Sequence, residues 1–397
     1  MSRSYRHRMH VFLLTENWPP RIGGIENYLT HIAGNLPTQS VTVVVPPWAD
    51  TKIDGKDNGI RAVIARRWYW SFIKPAWLPL FIATYRQLRR ENVDIVLCGK
   101  ALCEGLIGYY LKKYLGIPYV VFTYAMEIET WAGKAKERRK LERVLQYADR
   151  IIYINEVTKQ KLLALGARAE QLVKIWPGVD EQYFVKPVPV AQQAILTKYG
   201  LKKPYLLTVG RLIERKGIDV LIEAFVKLDQ TKFSELQLVI VGEGPEKDKL
   251  VRLATQHFMQ TSVRFLGHVS VYDLPSLYAG AEIFLLTPRP IVKDEEGFGI
   301  VYLEAAAAGT PAIATNSGGA REAVQHQITG LIVRPNDVTG VREAIVQLLN
   351  QPHQRDKLAQ AARTRAWEQF RWAKRILLVK GVIDAVVATR SRALAKI

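Results

Sequence analysis

The chain has 397 residues, 48% of them apolar and 23% charged, and its 56 Lys and Arg against 37 Asp and Glu give a formal net charge of +19. That length predicts two globular domains and that composition excludes disordered, collagenous and coiled-coil classes, while a lone pair of cysteines, Cys98 and Cys103, excludes a disulfide scaffold and makes a reducing cytosol the expectation. No apolar run approaches the roughly 18 residues of a spanning helix, and Val11–Leu14 behind Arg3, Arg6 and Arg8 is too short for a secretory leader, so a cytoplasmic protein is expected whose positive field attracts nucleotides, other polyanions or anionic lipid.

The first half alternates short β-branched runs with helical patterns. Strands are predicted at Met9–Thr15, Val41–Val45, Ile60–Ala65, Val93–Cys98, Tyr119–Tyr124 and Ile151–Ile154. Between the first two, Ile25, Tyr28, Leu29, Ile32 and Leu36 share one face of a 3.6-residue period. Strand, helix, strand at this spacing means a parallel sheet covered on both faces. A proline-rich stretch from Pro177 through Pro187 and Pro189 suits a hinge. The alternation then restarts, with strands predicted at Tyr205–Val209, Leu236–Val241, Val263–Leu266, Ile283–Thr287, Pro311–Thr315 and Leu331–Val333. The fold class is therefore α/β, with two doubly wound Rossmann-like domains, residues 1–180 and 181–370, expected to face each other across a cleft.

In such sheets ligands sit beyond the carboxyl ends of the strands, where helix N-termini offer N–H groups to anions. The first such loop carries Gly23 and Gly24, which suit a diphosphate or acceptor contact as well as they suit a tight strand-to-helix turn. No G-x-G-x-x-G follows this strand, which argues against a nicotinamide cofactor. In the matching place of the second half, Arg211 follows a strand and a glycine, and Lys216 opens the next helix. Two such cations can neutralise a departing diphosphate, a task otherwise given to a metal ion; no D-x-D pair occurs and the histidines are scattered, so no metal is expected. The third feature is Glu296-Gly297-Phe298-Gly299-Ile300-Val301-Tyr302-Leu303-Glu304, in which Glu296 falls in a loop and Glu304 within the following helix. Carboxylates flanking an anion-binding helix end suit a phosphate joined to sugars, although a paired-carboxylate glycosidase uses the same residue types.

Taken together, Arg211 with Lys216, Val241-Gly242-Glu243-Gly244-Pro245, Phe265-Leu266-Gly267-His268-Val269 and the Glu296 to Glu304 segment are similar to the C-terminal domain of family 4 glycosyltransferases of the GT-B fold, retaining enzymes that use nucleotide-sugar donors. The stretch Pro19-Pro20-Arg21-Ile22-Gly23-Gly24-Ile25-Glu26, and Phe184 after Pro177-Gly178-Val179-Asp180, extend the resemblance over nearly the whole chain. Glu296 to Tyr302 with Ser317-Gly318-Gly319-Ala320 is especially similar to bacterial mannosyltransferases acting on phosphatidylinositol mannosides.

The resemblance implies that Arg211 and Lys216 hold the donor diphosphate and that Gly23 and Gly24 bring backbone amides to it. It implies that Glu296 bonds the sugar hydroxyls, that Phe298, Gly299 and Ile300 offer main-chain N–H groups, that Glu304 accepts from the ribose, and that backbone near Val269 meets the base. Residues 371–397, opened by Phe370-Arg371-Trp372, would form a helix crossing back onto the first domain. The family commonly places a histidine after the fifth N-terminal strand; here the stretch is Thr123-Tyr124-Ala125-Met126-Glu127, so Tyr124 takes its place as a sugar contact that donates a hydrogen bond but is no base near neutral pH.

The implied donor is GDP-mannose or a UDP- or ADP-sugar, the acceptor a lipid-linked molecule or a saccharide, with no cofactor. Arg66, Arg67, Lys74 and Arg86 lie among Trp68, Tyr69, Trp70, Phe72, Trp77, Phe81 and Tyr85, and Lys134 to Arg143 add further cations. That mixture suits peripheral attachment to an anionic inner membrane face, or equally a buried aromatic core beside solvated charges. A GT-B epimerase or hydrolase, or a catalytically silent nucleotide-sugar binder, would share these motifs. Nucleic-acid binding is not expected, since no helix-turn-helix, zinc finger or RNA-binding signature accompanies the charge.

Overall fold

The runs of Val, Ile and Leu become strands of two parallel sheets in the computed structural model, which describes residues 9–21, 23–36, 40–45, 60–64, 77–229, 231–291 and 294–394. The chain divides into two units, Met1–Pro177 with Ala373–Ile397, and Gly178–Trp372.

The first unit holds β1 (His10–Leu14), β2 (Ser40–Val45), β3 (Ile60–Ile64), β4 (Ile95–Cys98), β5 (Tyr119–Thr123), β6 (Arg150–Tyr153) and β7 (Leu172–Lys174), in the order β3-β2-β1-β4-β5-β6-β7. The predicted strands are found within a residue or two at each end. β7 escaped the sequence reading because three half-buried residues at a sheet edge carry neither a run nor an alternation. In the middle of the sheet, Val11 pairs with Val41 on one side and with Ile95 on the other. Phe12, Leu14, Val96, Cys98 and Val121 pack on Ile107 and Leu111 of the helix Glu104–Leu115 and on Leu141, Val144 and Leu145 of the helix Ala135–Tyr147. Each large apolar side chain buried here contributes about 1.5–3 kcal/mol.

The second unit holds β8 (Tyr205–Val209), β9 (Gln237–Val241), β10 (Val263–Gly267), β11 (Ile283–Leu285), β12 (Ala312–Thr315) and β13 (Gly330–Val333), in the order β10-β9-β8-β11-β12-β13. Leu206, Leu238, Ile240, Ile283 and Ile313 pack on the helices Ile218–Val226 and Val338–Asn350. In both sheets the strand order reverses between two hydrogen-bonded neighbours, β1 and β4 in one, β8 and β11 in the other. Loops leaving the carboxyl ends of such neighbours run to opposite faces and open a crevice between them.

The helix Trp372–Leu394 belongs to the first unit from Ala373 onward. Its buried residues Ile376, Val379, Ile383 and Val386 are spaced three and four apart, as one helix face requires, and Arg390 Nη1 donates to the Asp94 carbonyl at 3.1 Å. Among the described residues no helix is long and apolar enough to cross a membrane.

Candidate functional site

At the reversal point of the second sheet, the loop after β8 and the loop after β11 meet. Glu214–Lys216 forms one 3-10 turn, closed by Gly217 at φ +64°. A Cβ at Gly217 would stand 2.1 Å from the Thr287 carbonyl oxygen, so only glycine lets the two loops touch. Thr287 Oγ1 donates to the Gly217 carbonyl at 2.8 Å, and the Arg289 amide to the Arg215 carbonyl at 2.9 Å.

This scaffold brings two cationic side chains to one carboxylate oxygen. Lys216 Nζ lies 2.7 Å from Glu296 Oε2, and Arg215 Nη1 lies 2.6 Å from the same atom. Arg215 Nε also pairs with Asp294 Oδ1 at 2.9 Å. Glu296 is only 6% exposed and Lys216 9%. Burial alone would push the Glu296 carboxyl up, but Lys216 and Arg215 outweigh it and hold the group below the usual carboxylate range. Glu296 is therefore an ionised hydrogen-bond acceptor with no proton to give. Its own position is set from behind: the Gly319 amide donates to the Glu296 carbonyl at 3.0 Å, and Gly318 takes φ +52° where a Cβ would meet that carbonyl at 2.2 Å.

Glu304 sits in the helix Ile300–Ala308, whose start at Gly299 has no side-chain cap, so that first-turn N–H groups face outward from the helix end. The Tyr278 hydroxyl donates to Glu304 Oε2 at 2.7 Å, and the Tyr183 hydroxyl also bonds this carboxyl. With no cation within ion-pair distance of it among the described residues, burial dominates: the carboxyl is pushed up to about 7, with Tyr278 opposing, Asp180 adding to the rise and Tyr183 opposing. Phe298 is buried, its ring 5.9 Å from that of Phe370, and Ile300 is the first helical residue. Val269 is buried just past the end of β10. Arg211 lies two residues beyond β8 and is exposed. The structure thus brings Lys216 and Glu296 together, with Arg215 as a second cation on Glu296.

Arg215 stands one residue before Lys216, but the sequence gives no sign of its role. Adjacent residues in a 3-10 turn point about 120° apart, so spacing gives no sign that both could reach one carboxylate. Asp294, Tyr278 and Tyr183 are missed for a simpler reason, since their roles come from contacts far apart in sequence.

In the first unit, Gly23 caps and Gly24 opens the helix Gly24–Asn35, and the Gly23 carbonyl accepts from the Asn27 amide at 3.0 Å. Tyr124 follows β5, buried, with its ring edge-on to Tyr28 at 6.2 Å. At this sheet's reversal point the sequence reading overlooked Glu104. It is fully buried, accepts the Glu16 amide through Oε1 at 2.9 Å, and has no hydrogen-bond partner at Oε2 among the described residues. Burial, with Glu16 beside it and Lys100 opposing, pushes it up to about 8.

Arg66, Arg67, Trp68, Tyr69, Trp70, Phe72 and Lys74 lie outside the described residues. Trp77 stacks on Tyr110 at 5.5 Å, Tyr110 on Tyr114 at 6.2 Å and Phe81 on Tyr85 at 6.2 Å, and both Tyr85 and Tyr114 are exposed. The helix Ala135–Tyr147 buries Leu141, Val144 and Leu145 and carries the ion pairs Arg138–Glu142 at 2.8 Å and Lys140–Glu137 at 3.1 Å on its outer side. Among the described residues no cluster of three His, Cys, Asp or Glu side chains is placed to hold a metal ion.

Residues 192–365 match the family model described as glycosyl transferases group 1, and residues 22–183 that of glycosyltransferase family 4. The chain is 32% identical over 371 residues to a GDP-mannose-dependent alpha-(1-6)-phosphatidylinositol monomannoside mannosyltransferase of Mycobacterium tuberculosis, covering 91% of this chain and 94% of that one. It is 30% identical over 367 residues, with the same coverage, to a GDP-mannose-dependent monoacylated alpha-(1-6)-phosphatidylinositol monomannoside mannosyltransferase of Corynebacterium glutamicum. Among solved structures, HepE of Anabaena in complex with UDP and glucose is similar at a TM-score of 0.78 and 20% identity, over 95% of this chain and 100% of that one. Sucrose-phosphate synthase of Thermosynechococcus elongatus is similar at 0.81 and 20%, over 96% and 100%. At such identities these structures speak to the fold alone.

Proposed function

This chain belongs to the family 4 glycosyltransferases of the GT-B fold, and on that premise we propose that it is a retaining, metal-independent hexosyltransferase moving mannose from GDP-mannose to a phosphate-bearing, lipid-linked acceptor. The observation that carries the reading is the buried, ionised Glu296 held by Lys216 and Arg215 at the carboxyl edge of the second sheet.

The donor's hexose hydroxyls donate to the Glu296 carboxylate, which Lys216 and Arg215 hold below the usual carboxylate range. Lys216 and the exposed Arg211 meet the diphosphate, while Arg215 keeps Glu296 paired as Lys216 turns to the phosphate. Gly23 and Gly24, together with the helix start at Phe298, Gly299 and Ile300, add backbone N–H groups; Glu304 accepts from the ribose, backbone near Val269 meets the base and Tyr124 touches the sugar. The acceptor hydroxyl oxygen bonds to the anomeric carbon on the face from which the phosphate departs. The carbon–oxygen bond to the β-phosphate breaks with its electron pair on that phosphate oxygen, which takes the acceptor's proton. Lys216 and Arg211 stabilise the charge that grows there.

Two features support a lipid-linked acceptor and peripheral attachment to anionic membrane: the acceptors named for the mannosyltransferase relatives, and the ring ladder ending at exposed Tyr85 and Tyr114, with Arg86 next to the first in sequence and Lys113 Nζ 5.3 Å from the second ring. Lys216→Ala tests the site: with GDP-mannose and phosphatidylinositol monomannoside, turnover is expected to fall by about 100-fold or more in a protein that still folds, with Arg215 left to pair Glu296. Near wild-type turnover in that variant removes the site from the reaction.

A further inference from the structure

The first unit contains a buried cation without a counter-anion. Arg375, the fourth residue of the helix Trp372–Leu394, is 9% exposed, and its Nε has no hydrogen-bond partner. Among the described residues no carboxylate lies within ion-pairing distance of it. The nearby ionisable group is Tyr28, whose phenol is pushed well up by burial and so stays a neutral hydroxyl, donating to the Ile175 carbonyl at 3.3 Å. Position adds to the cost, because the first turn of a helix carries positive dipole charge and disfavours a cation. Desolvation accordingly lowers the Arg375 guanidinium from its ordinary value. An isolated buried charge is among the more destabilising features a fold can carry.

Its surroundings are those of a ligand edge. The guanidinium lies 6.0 Å from the centre of the Trp176 ring, just past β7. The Tyr28 ring beside it packs edge-on against Tyr124, just past β5. On the same Trp176, Lys174 Nζ stands 5.2 Å from the ring and is neutralised by Glu156 at 2.6 Å. One of the two cations around this indole has its carboxylate; the other has none.

We propose that Arg375 is an anion-binding residue that takes a substrate phosphate, with the Trp176 ring as its platform. A planar guanidinium with unused N–H donors matches phosphate in two-point geometry, and the incoming anion would supply the missing counter-charge. The phosphate belongs either to the sugar donor or to the acceptor; that both carry one rests on the function proposed above.

The experiment compares wild type, Arg375→Lys and Arg375→Met, in the full chain. Without ligand, Arg375→Met is expected to melt at or above the wild-type temperature, since it removes an uncompensated charge. Titration with inorganic pyrophosphate, GDP and GDP-mannose, and KM for phosphatidylinositol monomannoside, then read the site. A loss of about tenfold in donor and pyrophosphate affinity assigns the donor phosphate. A similar rise in acceptor KM alone assigns the acceptor phosphate, and either outcome, with Arg375→Lys intermediate, supports the proposal. Unchanged affinities throughout, or an Arg375→Met protein that is unfolded or melts several degrees lower, make Arg375 a structural strut and overturn it. Absence of transfer by wild type would sink the proposed reaction instead, while the pyrophosphate titration would still decide the role of Arg375.

Discussion

Both sheets reverse their strand order in the same way, and both place a buried glutamate at the reversal point, yet the two carboxyls are pushed in opposite directions from the ordinary carboxylate value. Glu296 in the second unit has Lys216 and Arg215 on one oxygen and is held ionised. Glu104 in the first has one backbone amide and, among the described residues, no cation within ion-pair distance, and it is pushed up to about 8. The shared topology supplies a crevice, and the side chains on the two loops decide its chemistry. The carboxylate on Glu296 is placed to accept hydrogen bonds, whereas Glu104, by accepting the Glu16 amide, ties together the loops that follow β1 and β4.

The comparison breaks most readily at Glu296. Glu296→Ala leaves Lys216 and Arg215 buried against one another, and a loss of about 3–5 kcal/mol in urea unfolding is expected. A loss under about 1 kcal/mol would mean that water already neutralises those cations.

Glu104→Gln sharpens the other side. Because the folded-state value lies above the ordinary 4.5, the folded protein binds the extra proton, and the contribution is fully present below that value and lost as pH rises through about 8. Wild type is expected to lose on the order of 2 kcal/mol from this group between pH 5 and pH 7, a decline absent in Glu104→Gln. Parallel stability curves for the two proteins would show that Lys100 keeps Glu104 ionised.

The smallest effect separates cation pairing from the choice of unit. Glu304 shares a unit with Glu296 but has tyrosines rather than cations, and it is pushed up to about 7. If its ionised form accepts the ribose hydroxyl, affinity for GDP-mannose rises by up to about tenfold from pH 6 to pH 8 and is flat in Glu304→Gln. A flat wild-type profile would remove Glu304 from the donor contact.

Much of this architecture was legible in the residues. The β-branched runs mark twelve of the strands because a sheet covered on both faces needs uninterrupted apolar side chains, and only the short edge strand β7 lacks that mark. The Gly297–Gly299 stretch and Glu304 fall where a strand-end loop and a helix were expected, since glycine backbone preference and helical periodicity are local properties. Arg215 at Glu296, Glu104 under Glu16 and Arg375 beside Trp176 were not legible. Each of these depends on which segments the fold brings within a few ångströms, across separations of 81, 88 and about 200 residues. Charge type and approximate address are written in the chain, but protonation state and partnership follow from burial and distance, which only the folded molecule sets.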